Sequence, residues 1–252
     1  MMPHVTELYR HPVKSHGREA LSQVRLIAGK TMPWDRVWAV AHEMAKFDDA
    51  NPAWAHCVNF SRGAKAPELM AIDVTVDEAT NRLTFTHPNR DPLTINPDVT
   101  AEAAELIAWV KPLMPADRAQ SDRVVRAPDR GMTDTPYPSI SINSHASLRA
   151  MGQKAGREVS PLRWRGNIWL DDLAPWQEFE WIGKEIRIGE TLLAVRDPIT
   201  RCPATTANPE TGKRDLDTLG FLNDGWGHQD FGVYVEVIEG GQINTGDPVI
   251  LP

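Results

Sequence analysis

Cys202 lies in the run Arg201-Cys202-Pro203-Ala204-Thr205-Thr206, just after the strand-like Leu192 to Asp197 and inside a stretch rich in turn residues. A thiol in such a loop is poorly placed to act as core filler. Its thiolate form is both a nucleophile and a soft-metal ligand, and a neighbouring guanidinium and hydroxyl groups favour that form. Arg201 and the hydroxyls of Thr200, Thr205 and Thr206 are the expected stabilisers. The residues alone leave an inert buried thiol as the alternative, because free cysteine is among the most buried residue types. The second cysteine, Cys57, stands between His56 and Val58 and reads as packing in a β core. Two cysteines cannot supply a four-thiolate iron–sulfur cluster or a four-cysteine zinc site, and one disulfide could not staple 252 residues.

Other familiar sites fail on spacing. Gly29-Lys30-Thr31 has the ending of a phosphate-binding P-loop, but the first glycine of that pattern falls on Val24 and Met32-Pro33 follows where a helix should begin. His42-Glu43 opens like a zinc-protease helix, yet Lys46 stands where the second histidine must be to share the metal. The nucleophile elbow G-x-S-x-G and the dinucleotide fingerprint G-x-G-x-x-G are both absent.

The elements that must position Cys202 are short. Twenty prolines and seventeen glycines in 252 residues call for many turns, while 41% hydrophobic content supports a sizeable core. The net charge of -7 disfavours a nucleic-acid surface, although residues 1–130 hold 16 basic against 17 acidic side chains and have enough cations for a local anion site. The first residues lack the order of a secretion signal and no stretch reaches the ~18 apolar residues of a membrane span, so a cytoplasmic protein without membrane contact is expected.

Strands are expected at Val5 to Tyr9, Val24 to Ala28, Arg36 to Ala41, Met70 to Val76 and Arg82 to His87, with Asp77 to Asn81 as a hairpin turn. A helix is expected from Ala101 to Lys111, with Thr100 as N-cap. Ala116 to Pro138 reads as a linker or crossing loop. Beyond it, strands are expected at Ser139 to Asn143, Asn167 to Leu170, Glu185 to Ile188, Leu192 to Asp197, Val233 to Ile238 and Pro248 to Leu251. A short helix from Ser144 to Met151 would be capped by Ser144 and stopped by Gly152. The expected fold is mainly β, of the α+β class, in two β-barrel-like parts with a few short helices.

Several motifs in order resemble one family. The run Arg201 to Gly212, Phe231-Gly232-Val233-Tyr234 and Gly241 to Val249 look like the MOSC domain, named for the C-terminal domain of molybdenum-cofactor sulfurase. Tyr9-Arg10-His11-Pro12-Val13-Lys14-Ser15 is similar to the Y-P-[IV]-K-S pattern of the MOSC N-terminal β-barrel domain with two residues inserted, and Asp35-Arg36-Val37-Trp38 to its D-R-x-W. Arg163-Trp164-Arg165-Gly166-Asn167-Ile168 resembles R-F-R-x-N-[IL]. The resemblance implies an N-terminal β-barrel-like domain over 1–120 and a MOSC domain over 121–252.

It also implies the molybdenum cofactor, molybdopterin carrying Mo, with Cys202 as the metal's thiolate ligand and the catalytic residue. Family roles in holding the pterin and its phosphate fall on Lys14, Ser15, Arg36, Arg165 and Asn167, with Thr200, Arg201 and Ser139 as further cofactor contacts. Cations suit such an anionic group, and arginine can grip phosphate bidentately. Pyridoxal phosphate binding enters only as a family-level association. The implied activity is reduction of small N-hydroxylated compounds from N–OH to N–H, with electrons from an external ferredoxin-like, cytochrome or flavoprotein donor. The alternative is a molybdenum-cofactor carrier or sulfur-transfer protein with a persulfide on Cys202.

Overall fold

Alternation of apolar and polar residues explains most of the strands. In Arg82–His87, Leu83 and Phe85 are fully buried while Arg82, Thr84 and Thr86 face outward, the period of two that a half-buried strand requires. The computed structural model describes residues 2–251. The first part holds β1 (His4–Arg10), β2 (Glu19–Leu21), β3 (Gln23–Leu26), β4 (Trp38–His42), β5 (Asp73–Asp77), β6 (Arg82–His87), β7 (Arg90–Ile95) and α1 (Thr100–Val110). Then come β8 (Ser121–Arg126), β9 (Ile140–Ser144), α2 (His145–Ala155), β10 (Ile168–Asp171), β11 (Glu185–Ile188) and β12 (Thr191–Thr200). The chain closes with α3 (Thr218–Trp226), β13 (Asp230–Glu239), β14 (Gly241–Asn244) and β15 (Val249–Ile250). The fold is mainly β, of the α+β class, with three short helices.

An eight-stranded sheet in the order β15-β11-β12-β13-β9-β10-β1-β2 forms the larger layer. Only β9 and β10 run parallel in it. Its inner face buries Ile140, Ile142, Ile168, Leu170, Val195, Val233 and Val235, each at most 1% exposed, and each such side chain contributes roughly 1.5–3 kcal/mol through burial. The two parts interlock: β1 and β2 complete this sheet, and β3 pairs with β14 from Gly241↔Leu26 to Asn244↔Gln23. A second core gathers Trp38, Val40, Leu83, Phe85, Ile95, Leu106 and Val110 between β4–β8, the β5-β6-β7 meander and α1.

Several expectations change. The expected linker, 116–138, contains β8, which pairs with β4 from Trp38↔Arg126 to His42↔Ser121. The α1 helix begins at Thr100 itself; its N-cap is Val99, without a side-chain bond. Ser144 does cap α2 by accepting from Ser147 N, but Gly152 lies inside the helix and Gly156, at φ 67°, ends it. A side chain at position 152 would place its Cβ 2.9 Å from the Arg157 carbonyl, so that glycine serves close packing and not termination. The strand expected from Met70 starts only at Asp73, because Pro67–Ala71 forms a 3-10 turn. Arg36 lies outside β4, since its φ of 54° is left-handed.

Candidate functional site

Asp35 organises the amino-terminal side of the site. Fully buried, it accepts hydrogen bonds from the backbone N–H of His11 at 2.7 Å, from Asn167 Nδ2 at 3.0 Å and from the Arg36 guanidinium. Against the opposing effect of burial, Arg36 and His11 hold its carboxyl well below the usual range. Burial drives His11 down to about 3, so that imidazole is neutral. The turn after β1 then presents Lys14, which donates to Met132 O at 2.7 Å and to Asp134 Oδ1 at 2.6 Å while being only 4% exposed. Arg36 reaches across to the Arg165 carbonyl at 3.2 Å.

The carboxyl-terminal side rests on Asn143. Its amide is wedged between Gly166 and Gly232, where an added Cβ would approach it to 1.7 and 2.0 Å respectively. Gly232 also takes φ 77°, open to glycine without strain. Asn143 Oδ1 accepts from Arg201 Nη2 at 2.8 Å. The same guanidinium donates to the Trp164 and Phe231 carbonyls and lies over both rings, which stack at 3.9 Å. Arg201 is thus a staple that fixes the end of β12. Cys202 follows in extended conformation and is exposed.

Lys14, Ser15, Arg36, Ser139, Arg165, Asn167, Thr200, Arg201 and Cys202 all line one cavity, with about 1130 Å³ of empty space that opens to solvent. Three of them, Ser15 at φ 63°, Arg36 at φ 54° and Arg165 at φ 49°, take left-handed backbone. Such conformations cost on the order of 1–3 kcal/mol for residues other than glycine and concentrate at ligand sites. Arg165 Nη2 donates to Gly17 O at 3.0 Å, whereas its Nη1 is buried without a partner. Burial, with Arg36 and Arg18 adding repulsion, pushes this guanidinium down to about 9, the signature of a cation short of a counter-anion.

Not every assigned residue offers a free group. Both amide atoms of Asn167 are engaged, Oδ1 with Ser141 Oγ at 2.9 Å and Nδ2 with Asp35 and Tyr9 O, so its side chain ties β9 and β1 to Asp35. Ser139 Oγ accepts from Thr135 Oγ1 at 2.7 Å, and Thr200 Oγ1 donates to Asp230 Oδ1 at 2.5 Å. Of the expected stabilisers of a Cys202 thiolate, Arg201 keeps a charge attraction to it, whereas the threonine hydroxyls bond elsewhere. Thr205 Oγ1 donates to the Cys202 carbonyl at 3.2 Å, Thr206 Oγ1 to Pro203 O at 2.8 Å, and Arg201 faces the carbonyls it staples.

A second group of lining residues has no role assigned from the sequence, although Arg163 and Tyr234 stand within the family-like motifs. Cys57 sits in a 3-10 turn at the cavity, half-buried, and not in a β core. Arg62 Nη1 donates to its sulfur at 3.0 Å. Burial and then the charge of Asp134 raise the thiol's pKa, against the pull of Arg62 and Lys14. Arg163, Tyr234 and Asp134 also line the space. Arg214 bridges the two loops at the mouth, donating to Pro203 O, Thr206 Oγ1 and, at 2.9 Å, Ala64 O.

The chain is thus a curled β scaffold with a cationic cavity and one exposed thiol, and comparison with known proteins gives its family. Residues 2–123 match the MOSC N-terminal beta barrel domain and residues 130–250 match the MOSC domain. The chain belongs to the MOSC family, with both domains present. It is 32% identical over 112 residues to the molybdenum cofactor sulfurase of Drosophila grimshawi, covering 42% of this chain and 14% of that protein. The chain therefore spans about a seventh of the sulfurase's length. It is 25% identical over 294 residues to mitochondrial amidoxime-reducing component 1 of Mus musculus, covering 98% of this chain and 82% of that one. The YUAD protein of Bacillus subtilis shares the fold at a TM-score of 0.50 and 13% identity, over 99% of this chain and 94% of that one.

Proposed function

We propose that this protein binds the molybdenum cofactor in the cavity and reduces N-hydroxylated compounds to the corresponding N–H compounds, drawing electrons from an external donor protein. The observation that carries this reading is the convergence of Cys202 with Lys14, Arg36 and Arg165, whose buried Nη1 has no partner, on one cavity, although they lie in motifs up to 188 residues apart. A soft sulfur and three cations on one cavity, of which Lys14 and Arg36 are paired with Asp134 and Asp35 and Arg165 has no carboxylate partner among the described residues, fit a group that joins a thiophilic metal to an anionic tail. When bound, that cofactor supplies the two-electron exchange of the N–O bond cleavage. The chain's own residues hold and orient it. Cys202 Sγ is the ligand to the metal, Lys14, Arg36 and Arg165 hold the anionic tail, and Ser15 is poised beside them. Asn167 acts through Asp35 to keep Arg36 in place, while Arg201 and Asn143 fix the end of β12 that carries Cys202.

The likeness to an amidoxime-reducing component over nearly the whole chain supports the substrate class. No four-ligand cluster of histidine, cysteine and carboxylates exists among the described residues, and the two cysteines are free thiols, so the electrons are assigned to a separate protein. Free thiols also suit a reducing cytoplasm. No helix among the described residues is long and apolar enough to cross a membrane. Lys14, the lysine of the cavity, is held by Met132 and Asp134, which leaves the family association with pyridoxal phosphate without a free amine here.

The exposure of Cys202 and the match to a sulfurase favour one second reading, a carrier with a persulfide on that sulfur. The test is elemental analysis of protein from a host that makes the cofactor, followed by reduction of benzamidoxime with a chemical reductant. Stoichiometric molybdenum with turnover supports the reductase. Molybdenum without turnover, or sulfane sulfur released by cyanide, moves the assignment to the carrier. Cys202→Ser should abolish turnover, and Lys14→Ala should chiefly weaken cofactor retention; full activity of the serine variant overturns the ligand assignment.

A further inference from the structure

Among the residues lining the cavity there are six cations, Lys14, Arg36, Arg62, Arg163, Arg165 and Arg201, and one carboxylate, that of Asp134. A lone carboxylate facing a site built for an anion is chemically out of place, since it repels the ligand that the cations attract. Its geometry states its role. Asp134 Oδ1 takes one of the three N–H donors of Lys14 at 2.6 Å, and Met132 O takes a second. The ammonium is 4% exposed, so an incoming anion can reach it only from the cavity, the side on which Asp134 stands.

Hydrogen bonds and burial hold the backbone around Asp134, while its side chain has solvent beside it. Thr133 and Thr135 on either side are buried; Arg130 Nη2 donates to Thr133 Oγ1 at 2.8 Å, and Thr135 Oγ1 donates to Tyr137 O and Ser139 Oγ. The Asp134 side chain is itself half-exposed, and Lys14 is its one hydrogen-bond partner among the described residues. A rotation of that side chain toward solvent frees Lys14 without moving the chain. Lys14, Arg36 and Arg165 hold the carboxyl down at about 2 against the opposing effect of confinement, so the charge is present throughout the neutral range.

We propose that Asp134 is an internal competitor for Lys14, a tethered anion that sets how tightly the cavity holds the phosphate-bearing tail of its ligand. The inference rests on the reading of the cavity as an anion site. Competition of this kind makes binding reversible and favours ligands with enough charge to displace the carboxylate.

The test is calorimetric titration of pyrophosphate into the wild-type protein, Asp134→Asn and Asp134→Glu, together with the molybdenum retained by each after gel filtration. Asp134→Asn keeps the shape and removes the charge, and should bind pyrophosphate about fivefold to tenfold more tightly and release molybdenum more slowly. Asp134→Glu, which retains the charge, should stay within about twofold of the wild type. Thermal unfolding checks that both variants are folded. Equal or weaker binding in Asp134→Asn overturns the proposal and makes Asp134 a strut for Lys14. If neither wild type nor Asp134→Asn binds pyrophosphate or holds molybdenum, the anion-site reading falls and this inference falls with it.

Discussion

Asn167 Nδ2 lies 3.0 Å from Oδ1 of Asp35, joining two motifs 132 residues apart through a fully buried hydrogen bond. Because the same amide also serves Ser141 and Tyr9, Asn167→Leu removes a buried partner from each of them and takes one donor from the Asp35 carboxylate, which keeps His11 N and Arg36. Such a change costs about 3 kcal/mol, read as a lower urea midpoint at unchanged slope. A loss under about 1 kcal/mol would mean that these bonds do not hold the two motifs together.

The two thiols should differ in reactivity. Cys202 is exposed, whereas Cys57 is half-buried with its pKa raised by burial. Limited alkylation with iodoacetamide near pH 7.5, followed by peptide mass spectrometry, should modify Cys202 at least about tenfold faster. Loading with molybdenum should then protect Cys202 and leave Cys57 unchanged. Faster labelling of Cys57 contradicts this geometry.

Glu178 gives a pH dependence with a definite sign. It is fully buried with no cation paired to it among the described residues, its carboxyl oxygens lie 2.8 and 3.0 Å from the Ser147 hydroxyl, and burial, against the hydrogen bonds from its own backbone N–H and from Ser147, pushes its pKa up to about 7 from 4.5. A carboxyl raised on folding stays protonated in the native state, so its stabilising contribution is complete below pH 4.5 and is lost as pH rises to about 7. The full loss is on the order of 3 kcal/mol. Glu178→Gln should remove that slope and be more stable than the wild type at pH 8; parallel stability curves across this window would refute the assignment.

Gly232→Ala should unseat Asn143. The added Cβ would lie 2.0 Å from Asn143 Oδ1, at a φ of 77° that alanine resists. Arg201 loses an acceptor and the end of β12 loosens, so a fall of about 2–4 kcal/mol in stability is expected. Ser141→Ala, nearby but not against that glycine, should lose only about 1 kcal/mol. Similar melting temperatures for Gly232→Ala and the wild type would show that the wedge can relax.

Regular alternation made Arg82–His87 and Glu185–Ile188 legible residue for residue. Ser121–Arg126 was not legible, because its charged, linker-like sequence becomes a strand only through its partner Trp38–His42. The helix at Thr218–Trp226 was hidden by Gly220 and Gly225, and is recognisable only by the Asp217 side chain that caps it. In the site, motif order pointed to nine of the residues that line the cavity. What sequence could not supply was direction: Arg201 and Asn167 carry the motif yet turn their polar groups into the protein. Asp134, Cys57 and Arg62 sit in irregular loops that only the folded chain brings to the same place.

The pairing of Gln23–Leu26 with Gly241–Asn244, and of His4–Arg10 with Ile168–Asp171, has a consequence for the order in which the molecule matures. An amino-terminal strand synthesised early must wait, unpaired, until more than two hundred further residues have left the ribosome. On the proposed reading, a prosthetic group held by both Lys14 and Cys202 would enter only after those strands have paired, and the waiting edges of a newborn chain are exposed to wrong pairing until then.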